Sequence, residues 1–229
     1  MSEEKIALSW SRISNYRQCP RQFEAKYISK IWPDESNNPA FEKGNRIHKQ
    51  LEEYILFKKG KGAEPVVGRE AKTAIPLIND YFEKYEADNI DAEMQLALDF
   101  DWNETSWYGP TDIVKFRGII DMVILEGDTA IVIDWKSGKV RPYEDEKGQL
   151  HLTASYIFEL YPHVETIEIA YIFVEHKKRI KVDFKRSEHK ANKASFDLEY
   201  AQINEDEEFA AKKNKYCFFC SISDDCEYG

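Results

Sequence analysis

The chain has 229 residues, 42% of them hydrophobic, with ten glycines and eight prolines, so it can bury a substantial core and is neither disordered nor fibrous. Its formal net charge of -10 runs against a partner held by clustered Lys and Arg, such as a nucleic-acid backbone. No apolar run approaches the ~20 residues that span a bilayer, and the polar, acidic start Met1-Ser-Glu-Glu-Lys5 is unlike a secretory leader, so a cytoplasmic protein without a membrane partner is expected.

Residues 9–29 read as helical around Ile13, Tyr16, Phe23 and Tyr27, with Ser11 as cap and a break forced by Pro20. A second helix is predicted over 40–58, ended by Lys59-Gly-Lys-Gly62, and a third over 67–87. From Asp91 to Trp102 the period changes to two. Ala92, Met94, Leu96, Leu98, Phe100 and Trp102 then share one face of a half-buried strand, with Asp91, Glu93 and Gln95 on the other. Strands are expected over 116–125, 130–136, 166–175 and 178–184, with a helix over about 146–160 and a last helical stretch over 188–213. The sum is an α/β chain with a central mixed sheet flanked by helices, expected to form one domain over 1–229. Its parts are a helical region over 1–88, a sheet core over 90–186, and a helix with a cysteine-bearing tail over 187–229. Charge is uneven: acids concentrate at 80–104 and 205–208, whereas His176–Arg186 is basic and reads either as a backbone contact or as a lysine-protected edge strand.

Glu126-Gly-Asp-Thr129 is a hairpin turn with Gly127 at its first central position. If Glu126 pairs with Thr129, Asp121 falls across from Asp134, and Lys136 shares the face of Asp134. Two carboxylates and one ammonium thus meet in otherwise aliphatic strands. Desolvating such acids costs several kcal/mol per ion unless a cation compensates, and a divalent ion such as Mg²⁺ fits oxygen ligands. The alternative is a buried ionic cluster neutralised by Lys136 alone, which would leave a net negative site. His48 lies in register with Phe41, Gly44, Leu51 and Ile55 on the inward stripe of its helix, as a ligand or as a hydrogen-bonded core histidine.

The four cysteines are Cys19 alone and then Cys217-Phe-Phe-Cys220 with Cys226. The last three can converge on one centre and the fourth must come from a distance, as for a tetrahedral zinc or an iron–sulfur cluster. Spacing does not separate the two metals, and the remaining alternative is four unrelated thiols.

Asp121 followed by Asp134-Trp-Lys136 resembles the split acid–acid-x-lysine motif of PD-(D/E)XK nucleases. The likeness extends along most of the chain to the branch of RecB-type domains and CRISPR-associated RecB-like exonucleases. Ser9-Trp-Ser-Arg-Ile-Ser-Asn-Tyr-Arg-Gln-Cys-Pro-Arg-Gln-Phe23 resembles its opening helix, Gly44-Asn-Arg-Ile-His48 its histidine motif and Gln149-Leu150 the start of the helix after the lysine strand. The resemblance implies His48, Asp121, Asp134 and the Trp135 carbonyl as ligands of Mg²⁺ or Mn²⁺. It implies Lys136 as the group that activates water, and Gln149 as a positioning residue. Glu93 resembles an acidic position that some members use at the site. Where members often carry Tyr four residues after the glutamine, this chain has Thr153, with a tyrosine only at Tyr156. A [4Fe–4S] cluster on Cys19, Cys217, Cys220 and Cys226 is implied in the same way, with zinc as the alternative.

The activity so implied is exonucleolytic hydrolysis of single-stranded DNA in recombination, genome maintenance or CRISPR adaptation. The alternatives are a DNA-binding or scaffold subunit beside a helicase, recombination or integrase partner, and a zinc-stabilised hydrolase of some other substrate.

Overall fold

The computed structural model describes residues 5–33, 38–140 and 147–229. The acidic start at 1–4 and the expected helix start at 146 lie outside these residues. Five strands form one mixed sheet in sequence order: β1 (Ile90–Leu98), β2 (Phe116–Glu126), β3 (Thr129–Lys136), β4 (Thr166–Phe173) and β5 (Lys178–Lys185). All neighbours are antiparallel except β3 and β4, which run parallel. A parallel pair needs a crossover, and α5 (Lys147–Leu160) supplies it.

Helices cover both faces of the sheet, which is why the inner strands read as nearly continuous aliphatic runs. On one face α1 (Trp10–Gln18), α5 and α6 (Arg186–Asn204) enclose a core built around Ile13, Phe116, Val132, Phe158, Ile169 and Tyr200. On the other, α3 (Pro39–Lys58) and α4 (Ile75–Lys84) pack Ile47, Leu51, Ile55 and Ile78 against Met122, Ile133 and Trp135. α3 starts where Asn38 accepts the N–H of Ala40 and Pro39 occupies the first helical turn. Its buried residues recur at four-residue intervals, so His48, next to Ile47, sits at the margin of the apolar stripe. Ser9, rather than Ser11, caps α1; Ser11 only shares a hydrogen bond with the Ser9 hydroxyl. The helix breaks at extended Cys19, and Pro20 opens the short α2 (Pro20–Phe23).

The expected third helix is a short 3₁₀ turn at Ala71–Thr73 followed by α4, because Pro76 has no N–H and is tolerated only in a first turn. β1 stops at Leu98, well before the expected Trp102, which takes a left-handed φ of 68° in the following turn. Nor does one face run through β1. Ile90 and Ala92 pack on the α3 side, whereas Met94, Leu96 and Leu98 face the α5 side. The exchange happens at Glu93, whose φ of 48° twists the strand. β2 changes sides opposite it, since Ile120 belongs to the α5-side core and Met122 to the α3-side core.

β5 is an edge strand, and much of its positive charge is occupied. Glu168 accepts from Arg179 and, at 2.6 Å, from Lys181, while Arg186 caps the carbonyls of Phe158, Tyr161 and Val164. α6 ends at Asn204, short of 213, and the chain then returns to the first helices. Asp206 accepts the Tyr16 hydroxyl at 2.6 Å, Phe209 stacks on Phe23, and Lys212 and Asn214 bond the carbonyls of Arg17 and Gln18. Among the described residues, no helix is long and apolar enough to cross a membrane.

Gly118 is a close approach. A Cβ there would lie 2.8 Å from the buried Tyr156 ring, which α5 presses onto β2. Gly118→Ala is expected to destabilise the fold by about 1–3 kcal/mol through overpacking, read as a lower denaturant midpoint. A smaller residue at 156 in the same chain should recover part of the loss.

Candidate active site

The β2–β3 hairpin keeps the expected register from Glu126↔Thr129 to Met122↔Ile133, with Gly127 at φ 58° in the turn. The ladder ends one step before Asp121 and Asp134 would pair. There the Asp121 side chain substitutes for the strand: its Oδ2 accepts the Trp135 N–H at 2.7 Å. The other oxygen, Oδ1, lies 3.1 Å from His48 Nδ1. Asp121 therefore joins α3 to the parting strands while itself buried.

Two groups of side chains meet at this point. Toward α3, His48, Glu93 and Asp121 each offer a ligand atom, and the three atoms lie within 4.8 Å of one another. Glu93 owes its place to the twist of β1, and its Oε1 is 4.0 Å from His48 Nδ1. Gly44, one turn before His48, lets α3 come close to the end of β3; a Cβ there would meet Ser137 Oγ at 3.3 Å. Toward α5, Asp134 Oδ1 accepts from Gln149 Nε2 at 2.6 Å, and Lys136 Nζ reaches Gln149 Oε1 at 3.0 Å. Asp134 Oδ2 is buried without an aligned hydrogen bond, 2.8 Å from the Lys136 ammonium.

Tyr171 completes this second group, and sequence reading missed it. Its hydroxyl donates to Gln149 Oε1 at 3.2 Å, and its ring lies 4.5 Å from the Lys136 ammonium. The signal available was its register: Tyr171 pairs with Asp134 in the parallel ladder, the one hydroxyl in an aliphatic strand segment. Tyr156, by contrast, packs its ring on Gly118 away from these groups. The Trp135 indole is buried in the α3-side core, so only its backbone is near the acids.

The electrostatics are those of carboxylates short of positive charge. Burial pushes the Glu93 carboxyl up to about 7, and Asp121 beside it adds to the rise. Burial likewise raises Asp134 to about 6, against the pull of Lys136 and with Asp121 opposing ionisation. Burial disfavours the charged imidazole of His48, yet the hydrogen bond to Asp121 and the charges of Asp121, Asp134 and Glu93 carry it up to about 9. A divalent cation fits this set: a mixed oxygen and imidazole donor group, a buried carboxylate oxygen lacking an aligned donor, and two raised carboxyls.

The four cysteines lie away from these groups, on a second feature of the fold. Cys19, Cys217, Cys220 and Cys226 all line one cavity of about 660 Å³ between the opening helices and the tail. Two thiols are already held as acceptors, Cys19 Sγ by the Lys212 N–H at 3.4 Å and Cys217 Sγ by the Asn214 N–H at 3.3 Å. Among the described residues, no three of the thiols lie mutually within 4.8 Å, as the ligand atoms of His48, Glu93 and Asp121 do.

These shifts set a pH dependence. A folded-state value raised above the unfolded one stabilises below the unfolded value and is lost as pH rises through the folded one. For the metal-free chain, Glu93 and Asp134 therefore withdraw stability between about pH 4 and 7, and His48 withdraws more as pH rises through about 9. Metal ligation needs the deprotonated forms, so at pH 7.5 binding of Mn²⁺ should release close to one proton, chiefly from His48. Titration calorimetry in buffers of different ionisation enthalpy measures that release, and His48→Ala should abolish most of it.

Part of the chain is similar to an ATP-dependent helicase/nuclease protein of Exiguobacterium sibiricum, 28% identical over 137 residues, which is 56% of this chain and 12% of that protein. The chain thus spans about an eighth of that relative's length. The fold is similar to the crystal structure of SSO0001, with a TM-score of 0.53 and 16% identity over 100% of this chain and 89% of that one. The family model of the PD-(D/E)XK nuclease superfamily matches residues 7–227. A match over that span makes the chain a member of the PD-(D/E)XK nuclease superfamily.

Proposed function

We propose that the chain is a divalent-metal-dependent deoxyribonuclease that degrades single-stranded DNA exonucleolytically. The observation that carries this reading is the pairing of Lys136 with Asp134 beside His48, Glu93 and Asp121 at the point where β2 and β3 part. His48, Asp121, Asp134 and the Trp135 carbonyl, with Glu93, would hold Mg²⁺ or Mn²⁺, which lowers the pKa of a water and neutralises the scissile phosphate.

The protein's own groups supply the rest. Gln149 binds both Asp134 and Lys136, and Tyr171 fixes the amide from the other side. The amide is thereby held with its oxygen toward the ammonium and its nitrogen toward the carboxylate. Lys136 would then orient the attacking water and offset the negative charge that develops on phosphorus oxygens.

The Exiguobacterium relative is by name part of a helicase/nuclease, which supports action beside a helicase or recombination partner in the cytoplasm. CRISPR adaptation, with an integrase as partner, is the other setting consistent with a RecB-like branch. The four cysteines we assign to a [4Fe–4S] cluster. All four thiols line one cavity, and a tetrahedral zinc is the alternative occupant. The cluster would link Cys19 to the tail that already packs on its helix, a structural role.

With end-labelled single-stranded DNA and Mn²⁺ or Mg²⁺, wild-type protein should release short products from one end. Lys136→Ala should cut about 10²–10³-fold more slowly with its fold intact. No cleavage by folded wild-type protein under either metal would overturn the assignment. Protein purified without oxygen should be brown, absorbing near about 400 nm, and Cys19→Ser should bleach it; stoichiometric zinc in a colourless wild type would replace iron with zinc.

A further inference from the structure

Two arginines outside this centre lie near each other and, among the described residues, pair with no acid. Arg12, in the first turn of α1, folds back to donate to the Ala7 carbonyl. Arg117, at the start of β2, takes the Leu8 carbonyl with its backbone N–H and donates through its guanidinium to Gly109. Their anchors on this segment are consecutive carbonyls, and the charge of Arg117 reaches Arg12. Among the described residues, neither guanidinium has a carboxylate within 4.0 Å, in a chain that carries 42 acidic residues. Arg117 Nε is buried without a partner.

Burial, like charge and the helix dipole all disfavour this pair as it stands. Both side chains are partly buried, the like charge of Arg117 adds to burial in holding Arg12 below its ordinary value, and a cation in the first turn opposes the helix dipole. The Tyr27 ring, 5.1 Å from the Arg12 guanidinium carbon, backs one face of that group. An anion between the two would relieve each of these costs at once.

The pair also has a fixed relation to the centre. Arg117, Ile119 and Asp121 alternate along β2, and the ladder sets Ala97 against Arg117 and Gln95 against Ile119. Gln95 and Ile119 are exposed, so the sheet is open between the buried Asp121 and the partly buried Arg117. Four residues of strand span about 13 Å.

We propose that Arg12 and Arg117 form a phosphate site that grips the DNA strand on one side of the scissile bond. The proposal rests on the nuclease reading and deepens it, by assigning a backbone contact away from the metal ligands. It makes Arg12 and Arg117 binding residues that set the register of the strand.

The test is equilibrium binding of a labelled single-stranded oligonucleotide to the full chain in Ca²⁺, over a range of salt, for wild type, Arg12→Gln, Arg117→Gln and the double variant. Each single change should weaken binding several-fold and lower the slope of log K against log salt by about 0.7, and the double change by about twice that. Arg12→Lys and Arg117→Lys should keep most of the slope. Melting temperatures of the Gln variants should be unchanged or higher, because a repulsion is removed. A wild-type slope in the double variant, whether or not its melting temperature falls, would overturn the site. If wild-type protein neither binds nor cuts DNA, it is the nuclease reading that fails.

Discussion

A buried carboxylate replaces a ladder bond where β2 and β3 part, and the rest of the centre is arranged around it. With Asp121 Oδ2 occupied by the Trp135 N–H, the hairpin can open without leaving that donor unsatisfied. The opening gives the acids room to face different neighbours, His48 on α3 for Asp121 and Gln149 on α5 for Asp134. The two acids thereby tie the hairpin to helices on opposite faces of the sheet. The left-handed Glu93 belongs to the same device, since it turns β1 over at the level where β2 changes sides. Backbone strain of this kind costs on the order of 1–3 kcal/mol and persists where the surroundings hold it.

Much of this was legible in the sequence, because the hairpin imposes its own arithmetic. The turn at Glu126–Thr129 fixed the register, and with it the proximity of Asp121, Asp134 and Lys136. The helix carrying His48 and the one opening at Gln149 followed from aliphatic period and from resemblance. What escaped were features in which one residue breaks the regular pattern. Strict alternation through β1 assumes that every residue adopts extended backbone, and one positive φ at Glu93 inverts all positions beyond it. Tyr171 escaped because a tyrosine in an aliphatic strand looks like core until the parallel neighbour is known, and parallel register is set by a crossover helix rather than by a turn. The strand expected to reach Trp102 ended early for a related reason. Asp99 accepts the N–H groups of Asp101 and Asn103, and such side-chain turns compete with a ladder.

The acidity of the chain reads differently once charges are placed. In the metal-free centre the carboxyls are driven toward their protonated forms, and His48 keeps its proton into alkaline conditions. The protein thus tolerates poor electrostatics in one place, a cost that a small, highly charged cation would offset. Several basic groups elsewhere are spent on the fold: Arg186 on the end of α5, Arg179 and Lys181 on Glu168, and Arg17 on Glu199.

The return of the tail to α1 has a consequence for biosynthesis. Cys19 accepts from a residue 193 positions further on, and α1 buries Ile13 and Tyr16 in a core that also contains Tyr200 and Ile203 of α6. On a ribosome adding about 5–20 residues per second, these apolar groups wait roughly 10–40 s for their partners. During that interval α1 can pack only on the earlier strands and α5, so its burial is completed only after α6 and the tail have emerged.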